Sequence, residues 1–222
     1  MSNGALILAS NSPRRRELLA LGGWIYLTQP AEIDETPLPG ETAETYVLRL
    51  AQAKARAAAE TGARDVVLAA DTTVAAEGGI LGKPRNAAQA REMLLHLRGR
   101  THQVLTALAV LHTPSGRLLT DLCATAVPMR QYSDAEIEAY IASGDPLDKA
   151  GAYAIQHAGF HPVEALNGCY ANVVGLPLCH LARTLRKLGL PPQTDLPQAC
   201  QAALGYRCSV FTPILAEKET YG

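Results

Sequence analysis

The stretch LILASNSPRRRELLALGG, residues 6–23, decides the fold class of this chain. Ala5 to Ala9 form a short, unbroken apolar run, the pattern of a strand buried on both faces. Ser10-Asn11-Ser12 breaks it, and a helix follows at once. Ser12 is the natural N-cap and Pro13 takes the first helical position, where its missing N–H costs nothing. Leu18, Leu19 and Leu21 give that helix its apolar face, and Gly22-Gly23 stops it. A buried strand that passes directly into a helix is the opening unit of an α/β layer.

Working outward, Trp24 to Thr28 reads as a second strand and Thr42 to Thr61 as a long Ala-rich helix. Val66 to Ala70 is another buried strand, expected to end at Asp71-Thr72-Thr73. Gly78-Gly79 turns the chain back toward Ile80-Leu81, and Asn86 caps a helix reaching Leu97. His102 to His112 and Arg117 to Val127 form a hairpin about Pro114-Ser115-Gly116. Ser133 and Glu136 make a capping box. Asn172 to Leu176 is expected to be a last strand and Pro177 to Leu188 a last helix. The expectation is an α/β domain with a mixed, twisted sheet over residues 1–190. Pro191-Pro192 begins an extension, 191–222.

Composition narrows the function. The chain has 222 residues, 48% hydrophobic and 18% charged, so it carries enough apolar material for a core and is not a disordered polyanion or polycation. Twenty Lys and Arg against 21 Asp and Glu leave a formal charge of -1, which argues against nucleic acid or an anionic membrane as partner. No run approaches the roughly 18 to 20 apolar residues of a membrane span, and the N-terminus lacks the basic start of a signal peptide. The five cysteines are odd in number with no C-x-x-C pair, as expected of reduced thiols in the cytoplasm.

Several segments could carry chemistry. The turn Ser10–Arg16 offers the N–H groups of a helix N-terminus, two serine hydroxyls and three guanidiniums, Arg14, Arg15 and Arg16. Cations there oppose the helix dipole, and an anion would offset them; alone, the segment is as readily a solvated basic turn. Asp71, at the expected end of a buried strand, could hold a divalent metal or deprotonate water. Gly78–Arg85 is not a P-loop, because Pro84 stands where Ser or Thr is required. Lys83 and the loop acids Glu32, Asp34 and Glu35 gain meaning only beside a phosphate site. Asp148–Tyr153, rich in small residues and followed by Gln156, suggests backbone lying close to a ligand. The six histidines show no metal-ligand spacing, and there is no G-x-S-x-G elbow.

Taken in order, LILASNSPRRRELL (6–19), EIDET (32–36), LAADTTV (68–74), LGKPRNAAQAREML (81–94), SGDPLDKAGAYAIQ (143–156) and NGCYANVVGLPL (167–178) resemble the Maf family of nucleoside triphosphate pyrophosphatases. The resemblance implies a two-lobed α/β fold like that of the inosine triphosphate pyrophosphatases, with a central nucleotide cleft. It implies hydrolysis of a nucleoside triphosphate to the monophosphate and pyrophosphate with Mg²⁺ or Mn²⁺, and a homodimer. Asp71 falls on the family's proton acceptor, with Glu35 beside it as a second metal carboxylate. Ser10, Arg14, Lys54 and Lys83 fall on phosphate-site positions, and Arg15 joins them as a clamp on the triphosphate. Arg14, Thr72 and Gln156 match the branch acting on dTTP and UTP at its three distinguishing positions. A Gln amide complements the O4 acceptor and N3–H donor shared by uracil and thymine. The family's usual Gly-Ile-Gln-Gly is Ala154-Ile155-Gln156-His157 here. The rival expectation is a nucleotide-binding regulator of cell division that does not hydrolyse.

Overall fold

A computed structural model describes residues 6–62 and 65–216, so Ala5 of the first strand lies outside the described residues. The chain runs β1 (Leu6–Leu8), α1 (Pro13–Ala20), β2 (Tyr26–Thr28), α2 (Ala43–Glu60), β3 (Val66–Ala76), β4 (Gly79–Leu81) and α3 (Ala87–Leu97). It continues through β5 (Thr101–His112), β6 (Arg117–Pro128), α4 (Asp134–Ala142), α5 (Tyr170–Val174), α6 (Leu178–Arg186), α7 (Leu196–Leu204) and α8 (Phe211–Ala216). The strands form a mixed sheet in the order β2-β1-β3-β5-β6, with β4 paired to the far end of β3. β1 is parallel to both neighbours, while β5 is antiparallel to both β3 and β6.

Local signals place the helices as read. Ser12, Asn86 and Ser133 each accept a backbone N–H from the third residue on, and Glu136 closes the capping box on Ser133. Period-two alternation along β3 distributes its side chains to two cores. Val66, Leu68 and Ala70 face α1 and α6, and Val67 and Ala69 face α2. A third core gathers Val74 with α3 and α4 beyond the middle of the strand. The polar triplet Asp71-Thr72-Thr73 lies on β3 between the residues of the first two cores and Val74 of the third.

Three of the expected strands are corrected. β3 does not end at Asp71 but runs on to Ala76, because Asp71 and Thr72 keep their ladder pairing with Ala107 and Thr106. The second strand is only Tyr26–Thr28; Trp24 turns inward instead and donates its indole N–H to the Leu190 carbonyl at 3.2 Å. Asn172–Leu176 is not a strand: residues Tyr170–Val174 form a single helical stretch, closed by Gly175 at φ 118°. Gly151, at φ 69°, is also held by packing, since a Cβ there would lie 2.9 Å from a Val74 methyl.

The helix ending at Arg186 is not the last. Residues after Leu190 fold back on the first core: Gln193 N–H donates to the Gly22 carbonyl, Thr194 Oγ1 to the Leu21 carbonyl, and Leu196 is buried. All five cysteines are free thiols. No helix among the described residues is long and apolar enough to cross a membrane.

Candidate active site

Consecutive residues of a strand point to opposite faces, and β3 uses this where its cores meet. Asp71 points to the α2 side and Thr72 to the α1 side, so each meets a different cation. Lys54, from the middle of α2, places Nζ 2.6 Å from Asp71 Oδ1 and 2.6 Å from Glu35 Oε1. Glu35 arrives from the loop before α2, and the Tyr46 hydroxyl donates to its carbonyl at 2.8 Å to hold that loop down. On the other side Arg15 Nη2 donates to Thr72 Oγ1 at 3.1 Å and Nε donates to the Gly175 carbonyl at 2.9 Å. Ser10, buried at the end of β1, accepts from Arg15 Nη1 at 3.5 Å.

These groups line one cleft of about 630 Å³, which also takes in Arg14, Lys83 and Gln156. All nine site residues that the family resemblance and the proposed clamp single out are therefore brought to the same cavity. The three arginines separate by function of geometry: Arg15 enters the cleft, Arg14 reaches Asp148 across the rim at 3.9 Å, and Arg16 turns away to the Asn11 carbonyl. Glu32, Asp34 and Arg85 do not line it; Asp34 caps its own loop at Thr36 N–H. His157 and His161 do not line it either, and His157 Nδ1 accepts from Phe160 N–H. Reading from sequence missed Tyr46 and Thr106, and it placed Tyr153 only as the end of a ligand-side segment. Tyr153 lines the cleft and shares a 2.7 Å hydrogen bond with buried His102. Thr106 lies behind Thr72 at 2.9 Å, its single polar interruption of the apolar run VLTALAV (104–110) being the one available signal.

The two carboxylates that share Lys54 are driven apart electrostatically. Burial lifts the Asp71 carboxyl above the ordinary range, against the pull of Lys54 and Arg15. Burial also acts on Glu35, but the Lys54 hydrogen bond and the charges of Lys54, Lys83 and Arg15 outweigh it and hold Glu35 low. A pair of carboxylates split in this way is chemically able to divide the work, one exchanging a proton while the other stays charged. Two converging carboxylate oxygens also form the kind of donor set that Mg²⁺ uses together with substrate phosphates. Among the described residues no cluster of three or more His, Cys, Asp or Glu could hold a metal on its own.

Across 5–188 the chain matches the Maf-like protein family. The chain belongs to the Maf-like family. It is similar to curated relatives over most of its length. One, from Anaeromyxobacter dehalogenans, is named dTTP/UTP pyrophosphatase and is 50% identical over 86% of this chain and 98% of that protein. Proteins of the same name from Citrifermentans bemidjiense and Thermomicrobium roseum are 46% and 48% identical, over 85% and 88% of this chain and 98% and 91% of theirs. Among solved structures, a HAM1 protein from Coxiella burnetii is a loose likeness (TM-score 0.43, 20% identity, 58% of this chain and 74% of that one). Within the Maf-like match fall Asp71, Lys54, Glu35 and the arginine turn, whereas α7 and α8 lie beyond it.

Proposed function

We propose that this Maf-like protein is a nucleoside triphosphate pyrophosphatase that hydrolyses dTTP and UTP to dTMP or UMP and pyrophosphate. The observation that carries the reading is the convergence of Asp71 and Glu35 on Lys54 inside a cleft whose other wall is Arg15. The names of its relatives, all three dTTP/UTP pyrophosphatases, support the substrate class.

Water attacks the α-phosphorus, the α–β bridging oxygen leaves with pyrophosphate, and negative charge grows on both phosphates. Catalysis of this kind comes from positioning and from neutralising that charge. Asp71 accepts the proton of the attacking water, and its burial makes it a stronger base than an exposed aspartate. Arg14, Arg15, Lys54 and Lys83 hold the triphosphate, and the Ser10 hydroxyl adds a polar contact at the helix N-terminus. Glu35 and Asp71 would hold Mg²⁺ or Mn²⁺, which when bound supplies further neutralisation of the phosphate oxygens. Arg14, Thr72 and Gln156 are the positions that set nucleotide specificity, with the Gln156 amide matched to O4 and N3–H. On the same proposal the enzyme is cytoplasmic, binds a small nucleotide and no nucleic acid, and works as a homodimer, which sedimentation would check.

The two carboxylates meeting at Lys54 favour an enzyme over the non-hydrolysing regulator, which has no use for a proton acceptor. Incubation with UTP, dTTP, 5-methyl-UTP, ITP, GTP and 7-methyl-GTP in Mg²⁺ tests the proposal. Pyrophosphate with UMP or dTMP is expected; orthophosphate, or preference for a purine, contradicts it.

A further inference from the structure

Behind the cleft surface runs a line of hydrogen bonds that none of these roles requires. Arg15 Nη2 donates to Thr72 Oγ1 at 3.1 Å, Thr72 Oγ1 lies 2.9 Å from Thr106 Oγ1, and Thr106 Oγ1 donates to the Asn172 carbonyl at 3.1 Å. Thr106 is fully buried and does not line the cleft. Each hydroxyl owns one proton, a guanidinium only donates and a carbonyl only accepts. All three contacts are hydrogen bonds in one arrangement alone. Thr106 gives its proton to Asn172, Thr72 gives its proton to Thr106, and the Thr72 oxygen receives from Arg15. Thr72 then meets the cleft with a lone pair rather than with a proton.

The frame that imposes this arrangement is rigid. Asn172 is fully buried, and its amide nitrogen donates to the Val104 carbonyl and to Thr125 Oγ1, each at 2.9 Å. Its carbonyl also accepts Gly175 N–H at 3.0 Å, and the Gly175 carbonyl accepts Arg15 Nε. The line therefore closes on itself through α5. Gly175 sits at φ 118°, and a Cβ there would press to 3.4 Å from Thr72 Oγ1. Linked hydrogen bonds of this kind polarise one another, so each donor direction supports the next.

We propose that Thr106 is a positioning residue for nucleotide selectivity: by taking the Thr72 proton it fixes Thr72 as a hydrogen-bond acceptor toward the nucleotide. The proposal rests on the reading that the cleft takes a nucleoside triphosphate. The chemistry recognised is a hydrogen-bond donor on the nucleoside: either the 3′-hydroxyl of the sugar, or the imide N3–H of uracil and thymine, taken by Thr72 while the Gln156 amide N–H serves O4. A nucleotide with a lone pair at that place meets lone pair against lone pair. With Thr106 removed, the Thr72 hydroxyl can rotate and donate, and the discrimination weakens.

The test compares the wild type with T106S, T106V, T106A, T72V and T72V/T106V. Each is assayed with UTP, CTP, which lacks N3–H, and 3′-deoxy-UTP, and each binds the α,β-imido analogues of the same nucleotides in a calorimeter. T106S keeps the hydroxyl and is expected to match the wild type. T106V and T106A are expected to reduce the preference for UTP over one of the two analogues by about tenfold, the value of one ordinary hydrogen bond. The analogue affected identifies the donor. In the T72V background T106V is expected to add nothing, an outcome that a merely structural effect of Thr106 does not produce. Unchanged preference in both T106V and T106A, or losses that add in the double variant, overturns the proposal. A wild type that binds the imido analogues yet releases no pyrophosphate overturns the enzymatic reading instead, and the same comparison is then read in binding.

Discussion

Lys54 and Asp71 form an ion pair with Nζ 2.6 Å from Oδ1 and side chains only 12% and 9% exposed. Taking one partner from such a pair leaves the other charge buried without compensation, which costs far more than the pair itself contributes. Lys54 also bridges to Glu35, so one ammonium holds the two acids of the cleft in register.

Replacing Lys54 by Met is therefore expected to lower kcat/KM for UTP by about 100-fold, the scale seen when one preorganised donor to a developing charge is removed. Its charge and its hydrogen bond both pull the Asp71 carboxyl down. Without them Asp71 rises further, so the acid limb of the pH–rate profile moves to higher pH in K54M. Steady-state kinetics across the acid range check both effects.

In the wild type the sign is set by burial. Asp71 is held above the ordinary carboxyl range, and a base works only when deprotonated. Activity is thus expected to fall, as pH decreases, at a pH above the value of about 4 typical of an aspartate. An acid limb at or below that value speaks against Asp71 as the base.

A second titration bears on stability rather than turnover. Burial pushes His102 down to about 4 from an ordinary 6.5. Between those values the unfolded chain binds a proton that the folded chain refuses, so stability falls as pH drops from 6.5 toward 4. The full shift corresponds to roughly 3 kcal/mol. Denaturant midpoints measured across that window should decline in the wild type, and the decline should be shallower in H102Q.

The extension beyond the Maf-like match is expected to be part of the folded unit. Leu196 is 2% exposed within the first core. Leu196→Ala should cost about 2–5 kcal/mol and lower Tm by several degrees, as for other buried leucines. An unchanged Tm by calorimetry would show that the extension does not contribute to the core.

How far the sequence foretold this structure depends on how local each signal is. Ser12, Asn86 and the Ser133–Glu136 box were legible because a cap is settled within four residues. The site residues were legible as a series, although no single motif stood out. Which arginine turns inward was not, since three neighbours on one turn differ only in what α5 and β3 offer them. Val173-Val174 read as a strand because two β-branched residues favour one. The tertiary bonds of Asn172 and the left-handed Gly175 make it helical instead. Asp71 read as a strand end because a carboxylate in a buried ladder looks untenable. It is tenable only with Lys54, which lies 17 residues away in sequence.

The central claim is that this cleft directs water to the α-phosphorus through Asp71. Turnover of UTP in ¹⁸O-labelled water, with mass analysis of both products, tests it most directly in the wild type and in D71N. The expected result is label in UMP and none in pyrophosphate, with D71N still binding UTP while turnover is lost. Label in pyrophosphate, release of orthophosphate, or a D71N rate near that of the wild type would contradict it.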